Sequence, residues 1–329
     1  MVFIPQNATI QLGDIVVVYV NPEDMKAIKV TADSQYQNRY GTFFHNDMVG
    51  KLWGSKLATR GNKGFIYLLV PTPELWTLVL PHRTQILYQP DISLITSFLE
   101  MKPGVRMIEA GTGSGSFSHS AARTIAPNGI LHSFEFHAER AEKARVEFES
   151  HGLSDIIKSS HRDVCKDGFG IVGEVTAGNC SWICHRPGKH SSMPKLTCDP
   201  RRVFRICCFS PCMEQVQRTC LELHRLKFQE IRMFECLVRP YDMRQAEVEA
   251  LPLDKPTPKG SGKIKKRYLT TDEDASERYI LSSKPKASVR GHTSFLTFAI
   301  LLPEEDTVAP AVPDLANTED QATELPLKE

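Results

Sequence analysis

Hydrophobic positions along this chain change their period near residue 90. Before it, β-branched and aromatic runs at residues 14–20, 25–30 and 64–70 are separated by Asn, Asp and Gly turns, the pattern of short strands. Strands so short and closely spaced predict a small barrel or sandwich as a first domain over residues 1–88. Its last part, residues 71–88, mixes proline, aromatic and polar residues densely and is expected to be a rigid connector. Residues 91–99 then read as a helix with Asp91 near its start, stopped by Lys102, Pro103 and Gly104. An apolar run at 105–108 has the character of a buried parallel strand, and a helical pattern follows at 117–123. A strand at 129–134, a charged helix at 139–150 with pairs such as Glu139 and Lys143, and a strand at 156–161 continue the series. This alternation predicts an α/β domain over residues 89–303, with helices on both faces of a parallel sheet and a ligand at the carboxyl ends of its strands.

Composition narrows the class. The 329 residues exceed one average domain, and 41% apolar residues suffice for a sizeable core. No run approaches a membrane span, and MVFIPQNATIQLGD lacks the basic start of a signal peptide. A soluble intracellular chain is expected, so the nine cysteines are read as thiols rather than a disulfide framework. The net charge of +1 means that nucleic-acid binding must come from local patches or from a partner. Residues 253–290 interrupt the pattern. Within them, residues 255–267 are polar and basic, expected as a mobile loop that touches phosphate, serves as a nuclear signal or is merely solvated. The acidic tail over 304–329 has no core-forming content and is expected to be disordered.

The strand at 105–108 runs into Glu109, Ala110, Gly111, Thr112, Gly113, Ser114, Gly115 and Ser116. The three glycines allow a sharp turn and bring a ligand close to the helix start, where backbone N–H groups are free. The dinucleotide fingerprint would place its third glycine one residue later. The spacing here, E-x-G-x-G-x-G, resembles motif I of S-adenosylmethionine (SAM) methyltransferases, a structural turn being the alternative for the glycines alone. Glu135 ends the second strand, 22 residues after Gly113, where a carboxylate can accept both hydroxyls of a ribose. Asp163 and Val164 follow the third strand and would set a carboxylate and an N–H beside an adenine. Three acids in phase with three strand ends point to SAM.

The strings PTPELWTL, LPHRTQILY, EAGTGSGSFSH, FEFH, RDVC, CCFSPCMEQV and HTSFLTFA together resemble the catalytic subunit of the eukaryotic tRNA (adenine-N1)-methyltransferase, over most of residues 10–302. The resemblance implies a small N-terminal β-barrel and a Rossmann-like, seven-stranded SAM methyltransferase sheet whose last, antiparallel strand is residues 292–302. It implies methyl transfer to the T-loop adenosine at tRNA position 58, a nuclear location, and a non-catalytic tRNA-binding partner subunit, two of each forming a heterotetramer. By the same resemblance SAM lies against Gln85, Ile86, Leu87, Tyr88, Gln89, Ala110, Gly111, Thr112, Gly113, Ser114, Gly115, Ser116, Phe117, Glu135, Arg140, Asp163 and Val164. His82, Arg83 and the basic run at 263–267 are candidate tRNA contacts.

One motif of that family is missing. Its fourth strand ends in D-[LI]-P-[SA]-P-W-E-A, whose aspartate faces cofactor and target base. Residues 177–204 here show no apolar period and predict no strand. Cys180, Cys184, His185, His190 and Cys198 are metal-ligand types, but their spacing fits no standard zinc motif and no metal is expected. The genetic code offers a better account. Read one frame over, the Trp182–Ile183 junction (TGG-ATH) forces GAT, which is Asp, and the next seven junctions permit L-P-S-P-W-E-A. Residues 178–203 are therefore read as a compensated pair of indels that replaced the fourth motif. The catalytic residue is left unassigned. Losing a central strand would remove ~1.5–3 kcal/mol per buried side chain, against a total stability of ~5–15 kcal/mol, and the domain could unfold. Losing the aspartate would leave the base poorly oriented, since adenine N1 already carries the attacking lone pair. Cys207, Cys208 and Cys212 are expected to be buried thiols packed as small apolar groups. Two other functions stay open: SAM-dependent methylation of another RNA or a protein, and a non-catalytic SAM-binding or assembly subunit.

Overall fold

The computed structural model describes residues 7–170, 181–184, 203–247, 279–286, 289 and 291–303. The first strands form where alternation is strongest. β1 (Ile15–Asn21) turns back into β2 (Asp24–Lys29), with Tyr19 opposite Met25. The hairpin β3 (Gln35–Asn38) and β4 (Gly41–Phe44) follows, then β5 (Lys56–Ala58) and β6 (Phe65–Leu69). The four-stranded sheet has the order β2-β1-β6-β5, while β3 and β4 pair only with each other. Val16, Val18, Ile66 and Leu68 point to one face and meet Phe43, Met48 and Leu57 in a closed core. The expected barrel is thus an open sheet and a hairpin around one core. The strands β3 to β5 escape sequence reading because QYQN, GTFF and KLA carry almost no apolar alternation.

The connector contains a helix, α1 (Pro73–Val79). Thr72 caps it, its side chain accepting from Leu75 N at 3.4 Å, and Pro73 at the first helical position needs no N–H partner. Trp76 and Leu80 pack with Ile86 against Ile15 and Ala27, on the sheet face opposite the N-terminal core.

The larger sheet is built from α2 (Gln89–Phe98), β7 (Arg106–Ala110), α3 (Ser116–Ile125), β8 (Ile130–Glu135), α4 (Ala138–Ser150), β9 (Ile157–His161), the single turn α5 (Val164–Asp167), β10 (Ser181–Cys184), β11 (Phe204–Ser210), α6 (Met213–Arg225) and β12 (Gln229–Glu235). A hairpin of β13 (Tyr241–Glu247) and β14 (Tyr279–Pro285) precedes the last strand, β15 (Phe295–Leu301). Strand order is β12-β15-β11-β10-β7-β8-β9, seven strands in which β15 alone is shown antiparallel to its neighbour β11. The chain runs outward from β7 to β9 and then crosses back to β10. The switch between β7 and β10 opens a crevice beyond their carboxyl ends. Neighbouring residues of one strand serve opposite cores: Met107, Cys207 and Phe209 face one layer with Phe117 and Leu131, while Ile108, Ile206 and Cys208 face the other with Phe134 and Leu223. Cys207 and Cys208 are completely buried, as small apolar groups should be.

The structure corrects two expectations about the second half. Residues 181–184 do form a strand, with Trp182 paired to Ile108 on one side and Ile206 on the other. S-W-I-C is too short to show a period, yet aromatic and β-branched residues favour extended backbone. The slot between β7 and β11 offers ladder partners on both sides, which buried backbone requires. Loss of the central strand is therefore not what the written residues cause. The interruption at 253–290 is likewise not all loop, since β14 pairs residue for residue with β13, from Tyr241 opposite Pro285 to Glu247 opposite Tyr279. Residues 253–278, the basic run at 263–267, the tail at 304–329, and Cys180, His185, His190 and Cys198 lie outside the described residues.

Compactness divides the chain differently from the expected boundary at 88: residues up to Phe234 and from Ser294 onward form one unit, and Glu235–Thr293 a second. The smaller unit carries the β13–β14 hairpin, and in it His292 Nδ1 meets Glu235 Oε1 at 2.6 Å. Among the described residues no helix is long and apolar enough to cross a membrane.

In the main core Phe298 stacks on Phe98 at 4.5 Å and meets the edge of Phe234 at 5.9 Å. Truncating such a ring leaves a cavity and costs ~3–5 kcal/mol. Phe298→Ala is expected to lower the urea midpoint correspondingly, with an unchanged slope.

Candidate active site

The loop after β7 is shaped by its glycines. Gly111, Gly113 and Gly115 have φ of +100°, +56° and +77°, values that side-chain-bearing residues rarely adopt. A Cβ on Gly113 would also lie 2.6 Å from Thr84 Oγ1. The loop therefore passes flush against the connector. Arg83 N and Thr84 N both donate to Ser114 Oγ, at 2.8 and 3.2 Å, and Ser116 Oγ donates to Leu87 O at 2.8 Å.

Glu135 joins this loop to the end of β8. Its Oε2 accepts from Gly113 N at 2.9 Å, and its Oε1 accepts from His137 N at 3.0 Å and from Arg140 at 2.8 and 3.1 Å. Burial pushes this carboxyl up, but the Gly113 and His137 amides and the Arg140 guanidinium outweigh it and hold Glu135 below the usual carboxylate range. It is an anion at neutral pH. The neighbouring strand end is close: Arg162 N donates to Glu135 O at 2.9 Å, just before Asp163. Asp163 caps α5, its Oδ1 accepting from Cys165 N at 3.1 Å and Lys166 N at 3.3 Å, and Val164 is buried behind it.

The expected contact residues thus fall into one constellation around the crevice. Ala110, Gly111, Thr112, Gly113, Ser114, Gly115 and Ser116 form the loop, Phe117 is buried beneath it, and Glu135 with Arg140 flanks it. Gln85 is exposed beside the loop, Ile86 and Leu87 are buried, and Tyr88 and Gln89 open α2. His82 is exposed, as a tRNA contact would be. Arg83 is not. Its side chain is only 14% exposed, and its guanidinium lies 2.5 Å from Glu147 Oε2 and reaches Ser114 O at 3.4 Å, so it serves the loop rather than the surface.

The sequence placed Glu109 as the first of the three strand-end acids but not its surroundings, and it missed Phe136. Glu109, in β7, is wholly buried, with Oε2 accepting from Ser118 Oγ at 2.7 Å and Ser133 Oγ at 2.6 Å and Oε1 without a partner among the described residues. Burial pushes its carboxyl up to about 7 against those two hydroxyls, and the Glu135 charge adds to the rise. Phe136, directly after Glu135, leaves 61% of its surface exposed at the strand end. The only signal for it was an aromatic residue next to the acid in FEFH.

A glycine cradle with an anionic carboxylate bonded across it thus sits at the switch point of the sheet. A profile of the family described as tRNA methyltransferase complex GCD14 subunit matches residues 64–301. The chain belongs to this family. It is 39% identical over 311 residues to a Dictyostelium discoideum protein named tRNA (adenine(58)-N(1))-methyltransferase catalytic subunit, covering 90% of this chain and 98% of that one. A Candida albicans protein of the same name is 36% identical over 343 residues, covering 93% and 100%. The fold matches a SAM-dependent O-methyltransferase from Thermotoga maritima (TM-score 0.69, 23% identity, 91% and 97% covered). It also matches the tRNA (m1A58) methyltransferase TrmI from Aquifex aeolicus (TM-score 0.62, 18% identity, 89% and 98% covered).

Within this member of the GCD14 family, Glu109 gives a pH signature. Its carboxyl lies at about 7 in the folded chain against an ordinary 4.5, so the folded state keeps a proton that the unfolded chain has released. The stability this adds is complete below the unfolded value and lost as pH rises through the folded one. Glu109→Gln is neutral at all pH. Its melting temperature relative to the unsubstituted chain is expected to rise between pH 4.5 and 7 and then level off; a flat difference would refute the shift.

Proposed function

We propose that this chain is the catalytic subunit of a tRNA (adenine(58)-N(1))-methyltransferase, working with a non-catalytic tRNA-binding subunit. The observation that carries the reading is the 2.9 Å bond from Gly113 N to the Glu135 carboxylate, which joins the glycine loop to the acid at the second strand end. The family is that of a tRNA methyltransferase complex subunit, which supports both the tRNA substrate and the partner. A nuclear location and a two-plus-two assembly belong to the same proposal and rest on the sequence resemblance alone. The relatives above are named as catalytic subunits, and nothing favours the non-catalytic alternative.

The residues fit a nucleoside-bearing methyl donor. SAM, when bound, supplies an electrophilic methyl group on a sulfonium centre. Glu135, kept anionic by its three donors, would hold the ribose hydroxyls. The exposed Phe136 ring offers a flat apolar face to the adenine. The start of α3 presents free backbone N–H groups to the carboxylate end. Adenine N1 needs no deprotonation before attack, so the protein supplies alignment, exclusion of water and electrostatic support. Near-neutral charge leaves the chain alone with little basic surface to hold tRNA, because phosphate neutralisation dominates such affinity.

Calorimetry with SAM should show a clear loss of affinity in Glu135→Ala, ~10-fold or more if a charged hydrogen-bond acceptor is removed. Methyl transfer to tRNA transcripts should require the partner; equal rates with and without it would sink the two-subunit reading.

The fourth motif makes a separate prediction. Since β10 forms from the written residues, restoring the frame over residues 178–203 should change melting only modestly while raising methyl transfer sharply. Replacing the recovered aspartate by alanine should remove that gain without altering the melt. Equal activity of the written and restored chains would refute the frame account.

A further inference from the structure

His119 lies one turn into α3, completely buried, directly behind the glycine loop. Its Nδ1 is 2.6 Å from Gly115 O and its Nε2 is 2.9 Å from His151 Nδ1. These distances determine the protons. A carbonyl oxygen only accepts, so His119 Nδ1 carries a hydrogen. Burial, with His151 and Arg83 nearby, drops His119 to about 3, and burial drops His151 to about 4, so both rings are neutral at pH 7. In a neutral ring protonated at Nδ1 the other nitrogen accepts, hence His151 Nδ1 is the donor to His119 Nε2. The result is a one-way chain of hydrogen bonds from His151 through His119 to the backbone of Gly115.

The surroundings hold both rings still. The Trp76 centroid is 4.8 Å from that of His151, edge on, and 5.8 Å from that of His119. Phe148 packs 5.3 Å from His119, and a Cβ on Gly115 would lie 3.2 Å from the Phe148 ring. Glu147 stands in the same cluster, its carboxylate engaged by Arg83 at 2.5 Å. Together with the two histidines it has the composition of a metal site. The geometry argues for the hydrogen-bonded pair instead, because the ring nitrogens already face each other and the cationic Arg83 occupies the carboxylate.

Gly115 O is a consequential place to pull. It accepts twice, from His119 N in the helix at 3.1 Å and from the His119 ring. A peptide unit is planar and trans, so its C=O and the following N–H point opposite ways. Pinning Gly115 O inward therefore aims the Ser116 N–H outward, at the amino end of α3 where the loop meets its ligand. We propose that His119 and His151 are positioning residues that orient the Gly115–Ser116 peptide for the cofactor. This rests on the SAM reading of the glycine loop, and the two can fail separately.

The test uses the full chain with its partner and three variants, followed by SAM calorimetry, steady-state kinetics, thermal melting and hydrogen exchange of the loop. His119→Leu removes the ring donor, whereas His119→Asn keeps an N–H where Nδ1 was. His119→Leu should bind SAM about tenfold more weakly, the worth of one such bond, raise the KM for SAM with kcat little changed, and speed loop exchange without SAM. His119→Asn should stay within about threefold of the unsubstituted chain by the same measure. His151→Ala, at a half-buried position, should fall between them and covers the case in which His119→Leu does not fold. Equal weakening in His119→Leu and His119→Asn would mean that the ring only fills space and would overturn the proposal, as would unaltered affinity in a folded His119→Leu or His151→Ala. A stoichiometric metal ion lost in His119→Leu would overturn it too. No SAM binding by the unsubstituted chain would overturn the cofactor reading instead, and the loop-exchange pattern would still decide whether the pair orients the peptide.

Discussion

The bond from Gly113 N to Glu135 Oε2, at 2.9 Å, is the contact on which the crevice depends. It spans the carboxyl ends of β7 and β8 and sets how far the loop stands off the sheet. An almost wholly buried carboxylate would be costly without partners. Gly113, His137 and Arg140 supply them from the loop, from the turn after β8 and from α4. Because one anion collects donors from three segments, none can move without weakening the others. Gly113 must be glycine for the same reason: its φ of +56° turns the N–H toward Glu135, and Thr84 leaves no room for a side chain.

The loop is gripped from its other side by the connector. Arg83 N and Thr84 N share Ser114 Oγ, Leu87 O accepts from Ser116, and the Thr77 and Ser116 hydroxyls lie 3.0 Å apart. The same α1 that carries Thr77 buries Trp76 beside Ile15 and Ala27 of the N-terminal sheet. The small sheet is therefore attached to the glycine loop through the connector, by α1 together with Leu80 and Ile86. This explains why residues on either side of position 88 fall into one compact unit. It also explains why a stretch rich in proline and polar residues is a helix with a hydroxyl-lined seam rather than a tether.

Legibility in the sequence followed burial. β1, β6, β7 and β8 each present a run of apolar residues to a core, and all four stand where their hydrophobic pattern placed them, while β15 stands where the family resemblance put it. Glycine spacing and the acid after the second strand located the loop and Glu135, because backbone shape and charge at a strand end are local properties. Partners distant in sequence were hidden. Arg83 looked like a surface cation, but its counter-ion Glu147 is 64 residues away. Glu109 read as the first of three strand-end acids, but Ser118 and Ser133 fold over it from α3 and β8 and bury it. The β13–β14 hairpin leaves Tyr241, Met243 and Leu281 exposed, so no inward-facing pattern announced it.

β10 shows why fold and chemistry can part company within four residues. A strand holds its place in a parallel sheet through backbone N–H and C=O groups, which every residue except proline carries whole. Ser181–Cys184 meets that demand between β7 and β11, and the sheet order follows without reference to what the side chains are. Chemistry at the switch point makes the opposite demand. The register sets Ile183 opposite Glu109 and Cys184 opposite Ala110, at the lip of the crevice. There the identity of one side chain decides whether a polar base edge finds a partner. The shifted frame puts an aspartate at the Trp182–Ile183 junction, at that lip. A buried acceptor aimed at an exocyclic amine contributes to orientation only if it is there, and no backbone substitutes for it. On the frame account proposed above, the written chain would keep what any strand of sufficient length provides and lack only what that one side chain supplies.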